Sequence, residues 1–156
     1  MSLGEARCRQ KVLAVASEGG HWIQLLRLRP AFVDSEVVFV GPNDSFREHV
    51  PGHKFYCVND ATRWDKVGLI KAGLKLLWIN WKETPDVIVS TGAAPGYLAI
   101  RLGKLFGART VWVDSIANVE CLSMSGLIVG SHTDLWLTQW PHLERPEGPF
   151  YRGSVL

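Results

Sequence analysis

The feature that most constrains this chain is a recurring pair of segments. A short apolar run ends in glycine or polar residues, and a stretch with apolar residues at helical spacing follows. The first pair is Lys11 to Leu28, KVLAVASEGGHWIQLLRL. Val12 to Ala16 reads as a buried strand and Ser17-Glu18-Gly19-Gly20-His21 as a turn. Trp22, Ile23, Leu25, Leu26 and Leu28 then recur at helical spacing until Arg29-Pro30 ends the helix. Further strands are expected at Glu36 to Val40, Lys54 to Val58, Pro85 to Ser90, Arg109 to Val113 and Asp134 to Gln139. Helical segments are expected at Arg63 to Lys82, at Tyr97 to Phe106 with Gly107 as cap, and at Asn118 to Gly130 with an irregular start. Ser45 to Val50 reads as a helical turn, and Leu143 to Leu156, rich in proline and glycine, as loop. Strands separated by crossover helices pair in parallel, so the pattern predicts a single α/β domain with a mostly parallel sheet.

Composition narrows the class. A chain of 156 residues, 47% hydrophobic and 21% charged, suits one globular domain with a real core. A formal charge of +2 gives no footprint for nucleic acid. No stretch reaches the roughly 20 apolar residues that span a bilayer, and residues 1–10 lack a signal-peptide core and read as a flexible terminus. Cys8, Cys57 and Cys121 fit neither a disulfide framework nor zinc-ligand spacing, which points to reduced thiols in a cytoplasmic protein. Tryptophan, present seven times, suits either a core or a membrane or partner interface.

Parallel sheets place ligands at the carboxyl ends of their strands. Two glycine turns, Ser17 to His21 and Thr91 to Gly96, and the acidic strand end Asp114-Ser115 should converge there. Glycines let a ligand approach the backbone, helix starts offer free N–H groups to a diphosphate, and an imidazole works as a base near neutral pH. The first turn lacks the G-x-G-x-x-G dinucleotide fingerprint, no phosphate-loop motif follows the first strand, and neither Ser17 nor Ser90 sits in a G-x-S-x-G elbow. Glycosyl transfer fits better, since a sugar hydroxyl needs a base and a lipid-linked diphosphate needs N–H donors. His49 and His53 flank Pro51-Gly52 without nearby acids or thiols and read as a turn, not a metal site. In Arg63 to Lys82 apolar residues and tryptophans interleave with Lys66, Lys71, Lys75 and Lys82. That helix either covers the sheet with its lysines solvated or lies at an anionic membrane surface.

The pattern S-x-G-G-H-x-x-Q-L-x-x-L over Ser17 to Leu28 resembles the start of the Alg-fourteen-like family, which includes the PssD-type subunits of bacterial exopolysaccharide and capsule synthesis. The stretch PDVIVSTGAAPGYLAIRLGKLFGARTVWVDSIANVECLSMSGLIVGSHTDLWLTQWP, Pro85 to Pro141, resembles the same family. A more distant likeness, through G-G-H and the second glycine loop, is to the MurG family of cell-wall N-acetylglucosaminyltransferases. The resemblance implies a Rossmann-like domain corresponding to the N-terminal, acceptor-side half of a split GT-B glycosyltransferase. A separate catalytic partner subunit would bind the UDP-sugar. The acceptor would be a lipid-diphosphate-linked saccharide at the membrane surface. The protein itself would be peripheral on the inner face of the cell membrane, with neither metal nor cofactor. Length agrees with this expectation, since 156 residues supply one α/β domain where a fused enzyme has two.

Carried over motif by motif, the resemblance implies His21 as general base or acceptor-orienting group, the other reading being that it only braces the turn. Asp114 would hold a sugar hydroxyl or orient His21, or else cap the following segment. Ser17, Gly19, Gly20, Thr91, Gly92, Ser115 and Asn118 would bind the acceptor. The family's Glu-Ser-x-x-Arg reads Asp114-Ser115-Ile116-Ala117-Asn118 here, so the acid has a shorter arm and the cation is lost. Phe150, Tyr151, Val155 and Leu156 on the tail either offer apolar contacts for the partner or belong to a frayed terminus. The alternative function is a non-catalytic scaffold that brings a catalytic glycosyltransferase to the membrane.

Overall fold

The computed structural model describes residues 9–61 and 64–155. Cys8, most of the N-terminal segment, Arg63 and Leu156 lie outside the described residues. The described strands are β1 (Lys11–Val15), β2 (Glu36–Gly41), β3 (Lys54–Cys57), β4 (Val87–Ser90), β5 (Arg109–Val113), β6 (Leu135–Thr138) and β7 (Phe150–Tyr151). They form one sheet in the order β3-β2-β1-β4-β5-β6-β7, and every pairing is parallel. The strand order reverses between β1 and β4, the switch point where open α/β sheets leave a crevice for ligands.

Among the described residues four α-helices lie between strands: α1 (Gly20–Arg27), α2 (Lys66–Glu83), α3 (Ala93–Leu105) and α4 (Met124–Gly130). The period of two along a strand sorts the core into two layers. Leu13 and Val15 of β1 pack with Leu76 and Ile79 of α2, Ala99 and Ile100 of α3, and Val129 of α4. Ala14 and Ala16 face the other way, against Trp22 and Leu25 of α1 and Phe39 and Phe55 of the sheet. The domain is a three-layer α/β/α sandwich.

Three expectations need correcting. The second glycine turn is shorter than Thr91 to Gly96, since Gly92 at a φ of 143° lets α3 begin at Ala93 rather than Tyr97. The segment from Asn118 is not helical, and α4 starts only at Met124, where Ser123 caps it by accepting the Gly126 N–H. The tail is not loop throughout, since Phe150 and Tyr151 are half-buried and pair in register with Leu137 and Thr138. It is held further by hydrogen bonds from Val155 N to Gln139 Oε1 and from Arg27 to the Val155 carbonyl.

The end of α2 is fastened beneath the sheet by Glu83, whose side chain is 3% exposed. The Tyr56 hydroxyl donates to Glu83 Oε1 at 2.6 Å, and Lys54 and Lys11 donate to Oε2 at 3.2 and 3.4 Å. Burial alone would raise this carboxyl, but the three donors outweigh it and hold it below the usual glutamate range. Burial and the bond to Glu83 push the Tyr56 hydroxyl up to about 12. A lowered folded pKa means the stabilisation is complete above the unfolded value of about 4.3 and is lost as pH falls through the folded value. Glu83→Gln is therefore expected to cost about 2–4 kcal/mol at neutral pH and to flatten the loss of stability below about pH 4. Urea unfolding across a pH series checks both effects, and an unchanged acid limb would refute the linkage.

Candidate functional site

The site forms where β1 and β4 run side by side and each ends in a glycine turn. After β1, the buried Ser17 leads into exposed Glu18, Gly19 and Gly20. Gly19 takes a φ of 72° at the start of α1, with no neighbouring atom within 4 Å of where its Cβ would be, so the backbone here is bare. After β4, Thr91 and Gly92 are buried and lead into α3. Among the described residues neither α1 nor α3 has a side-chain cap, so both present free N–H groups and the positive ends of their dipoles.

His21 joins the two turns. Its Nδ1 lies 2.9 Å from the Thr91 carbonyl, and the Thr91 hydroxyl donates back to the His21 carbonyl at 2.7 Å. The imidazole rests directly on Gly92, where a Cβ would stand 2.4 Å from ring atoms Cε1 and Nδ1. Gly92 also has a φ of 143°, and the next residue, Ala93, holds a left-handed φ of 64°. For a residue with a Cβ that conformation costs about 1–2 kcal/mol, and such strain collects at functional sites. A carbonyl oxygen only accepts, so Nδ1 carries the proton in the neutral ring and Nε2 keeps its lone pair.

Asp114 does not orient His21; the Thr91 carbonyl does. The Asp114 carboxylate, 1% exposed, accepts from Ser123 N at 2.9 Å, from the Ser123 hydroxyl and from Trp112 Nε1 at 3.4 Å. It does not cap the following segment itself but holds Ser123, the residue that caps α4. Ser115 and Asn118 lie half-buried in the segment beyond β5, tied by the Asn118 N–H to the Ser115 carbonyl at 3.0 Å. The structure thus brings His21, Gly19, Gly20, Thr91 and Gly92 together and keeps the Asp114 carboxylate apart from them.

Three participants were given no role from the sequence, although Gln24 stands in the first glycine-turn motif. Gln24, on the buried face of α1, donates to the Val113 and Asp114 carbonyls at 3.4 and 3.2 Å and accepts the Ile116 N–H at 3.2 Å. Gln139 donates to the same Asp114 carbonyl at 2.9 Å. An amide at a core-facing position of an apolar helix was the available signal for Gln24; Gln139 has none nearby. Asp60, after β3, accepts the Glu18 N–H at 3.2 Å and closes the crevice on the other side. Desolvation, and next the Glu18 charge, push its carboxyl up, against the Glu18 N–H bond and the nearby His21 ring. His49 accepts from Trp22 Nε1 at 3.0 Å and belongs to the core rim.

Residues 66–154 match the family model described as "Oligosaccharide biosynthesis protein Alg14 like". The chain is 38% identical over 87 residues to "UDP-N-acetylglucosamine transferase subunit alg14" of Schizosaccharomyces pombe, a match covering 51% of this chain and 39% of that protein. It is 25% identical over 178 aligned positions to "UDP-N-acetylglucosamine transferase subunit ALG14" of Homo sapiens, covering 93% of this chain and 82% of the human one. The fold is similar to MurG of Acinetobacter baumannii with a TM-score of 0.75 at 11% identity, over 94% of this chain and 46% of that one.

The contact of His21 with Gly92 is directly testable. Gly92→Ala forces a side chain into the imidazole and into an unfavourable φ, and is expected to destabilise the fold by about 2–4 kcal/mol. It should also free the His21 ring, read as a changed imidazole NMR signal; an unmoved signal would show that the clasp tolerates a methyl group.

Proposed function

The chain belongs to the Alg14-like family of oligosaccharide biosynthesis proteins, and on that premise we propose that it is the acceptor-binding, membrane-recruiting subunit of a two-component glycosyltransferase. The reaction moves a sugar from a UDP-sugar, held by a catalytic partner subunit, to a lipid-diphosphate-linked saccharide held here. The observation that carries this reading is His21, with Nδ1 committed to Thr91 and Nε2 without a hydrogen-bond partner among the described residues, beside two uncapped helix starts.

In the reaction the acceptor hydroxyl oxygen bonds to the anomeric carbon of the donor. The bond from that carbon to the diphosphate breaks, and UDP leaves with the electron pair. The hydroxyl proton passes to His21 Nε2, which the Thr91 bond keeps unprotonated in the neutral ring. Backbone N–H groups of the exposed Gly19-Gly20 turn and of the first turn of α3, just beyond Thr91-Gly92, hold the saccharide or its diphosphate. Ser17, buried beneath the first turn, and the half-buried Ser115 and Asn118 beyond β5 supply hydroxyl and amide groups. Asp114 acts as a positioning residue through Ser123 rather than on the substrate.

Membrane recruitment is supported by α2. No helix of the described residues is long and apolar enough to cross a membrane. Yet α2 exposes Val67, Ile70, Leu74, Trp78 and Trp81 along one side, with Trp64 80% exposed just before it. Monomeric soluble domains seldom leave so long an apolar band uncovered. Lys66 and Lys82 beside it suit anionic headgroups, and tryptophans suit the membrane boundary.

Two measurements check this reading. Transfer from a UDP-sugar to a lipid-diphosphate saccharide should need both this chain and its donor-side partner, and His21→Ala should lower kcat by about 10²–10⁴-fold with partner binding intact. The ring's seat on Gly92 also suits a purely bracing role; full activity of His21→Ala would favour that scaffold reading. Replacing Leu74 and Trp81 together by serine should weaken sedimentation with anionic vesicles by about 100-fold, and unchanged sedimentation would remove α2 from the membrane.

A further inference from the structure

Helix α2 carries three bands. Ala72, Leu76, Ile79 and Glu83 are buried against the sheet and α3, and Val67, Ile70, Leu74 and Trp81 face outward. Counting 3.6 residues per turn, Lys71, Lys75 and Lys82 fall between them, about a quarter-turn from the outward band. Lys71 and Lys75, one turn apart, line a cavity of about 440 Å³ between α2 and the segment that follows β3. Asn59, Asp60 and Asp65 form its polar end, and Val58, Val67 and Ala72 its apolar wall. The cavity shares a wall with the candidate site, because Asp60 bonds the Glu18 N–H in the turn that ends at His21.

The two lysines are uncommitted: among the described residues no ion pair engages either. The two acids are engaged with backbone donors, Asp60 with Glu18 N and Asp65 with Gly68 N at 2.9 Å as the cap of α2. From His21 outward the molecule therefore presents, in order, a turn with a candidate base, a pair of ammonium groups and an apolar band. A lipid-linked acceptor presents, in order, a saccharide, a diphosphate and a hydrocarbon chain.

We propose that the cavity lined by Lys71 and Lys75 is the diphosphate subsite of the lipid-linked acceptor, which assigns the glycine turns to the saccharide. This rests on the reading of the chain as an acceptor-side subunit. Ammonium groups at i and i+4 on one flank reach adjacent phosphates together, and the lipid leaves the cavity along the outward band of the same helix.

The test uses a water-soluble probe, N-acetylglucosaminyl diphosphate with a short alkyl chain, titrated into the isotope-labelled full chain and followed by NMR. Signals of Asn59, Asp60, Lys71 and Lys75 should shift together with those of Gly19, Gly20 and Gly92. Lys71→Ala and Lys75→Ala should each weaken binding about tenfold, more steeply at low salt. Arg101→Ala, which removes the same charge from α3, should leave binding unchanged. Shifts confined to the glycine turns, with both lysine variants binding normally, would overturn the subsite and leave the acceptor-side reading standing. Shifts at neither place would overturn both. Lysine variants that lose affinity for vesicles containing phosphatidylglycerol but not for the probe would assign the lysines to headgroups and overturn the subsite. Inorganic pyrophosphate binding as tightly as the probe would reduce the cavity to a general anion site and overturn it too.

Discussion

The site depends on one reciprocal contact across the β1–β4 boundary. His21 and Thr91 exchange two hydrogen bonds, one through the ring and one through the hydroxyl, over a glycine that leaves no room for a side chain. Parallel pairing of β1 and β4 brings the two turns within reach, in a register that sets Val15 opposite Ser90. The contact then fixes how α1 and α3 leave the sheet. Their uncapped starts open on the same crevice because His21, in the first turn of α1, is locked to Thr91, just before α3. A looser joint would leave the same N–H groups pointing in unrelated directions, and pre-organised donors are what make such a site effective.

A second constraint works through buried amides. Gln24 and Gln139 both donate to the Asp114 carbonyl, one from α1 and one from the end of β6. Gln139 also accepts from Val155, and Arg27 reaches the Val155 carbonyl from the end of α1. The segment beyond β5, the last turn of α1 and the tail are thus one hydrogen-bonded unit. Fully satisfied buried polar networks specify a single arrangement, since each lost partner leaves a desolvated group behind. Ser115 and Asn118 owe their place to this network, as no regular element holds them.

These two constraints differ in how legible they were. The strand–turn–helix units could be read because local signals agree with the fold: apolar runs, glycines at turns, and helical spacing at Trp22, Leu25 and Leu76. The convergence of Gly19, Gly20, Thr91 and Gly92 followed from parallel pairing alone. What was not legible came from contacts distant in sequence. Ser123 rather than Asn118 starts α4 because Asp114, nine residues earlier, fixes the Ser123 amide. Phe150 and Tyr151 form a strand only because β6 offers an edge, and two residues carry no propensity signal of their own. The carboxylate of Asp114 could be placed at a strand end but not aimed, since its direction depends on Ser123 and Trp112.

Helix α2 shows a sequence pattern that resists a one-faced reading. A helix apolar all round is ordinarily buried all round, yet this one covers the sheet with one face and leaves the opposite face open. Its two ends are held by polar anchors, the Asp65 cap and the Glu83 cluster with Tyr56, Lys54 and Lys11. The outward band therefore has no role in keeping the helix in place, and its exposure adds nothing to folding. In the proposed reading, that band, the lysine flank and the turn of His21 form one rigid body. The depth at which the outward band meets the membrane would then set how far above the headgroups His21 stands. A saccharide tethered to lipid through a diphosphate reaches only a narrow range of heights, and a rigid helix is a physically simple way to place a base within that range.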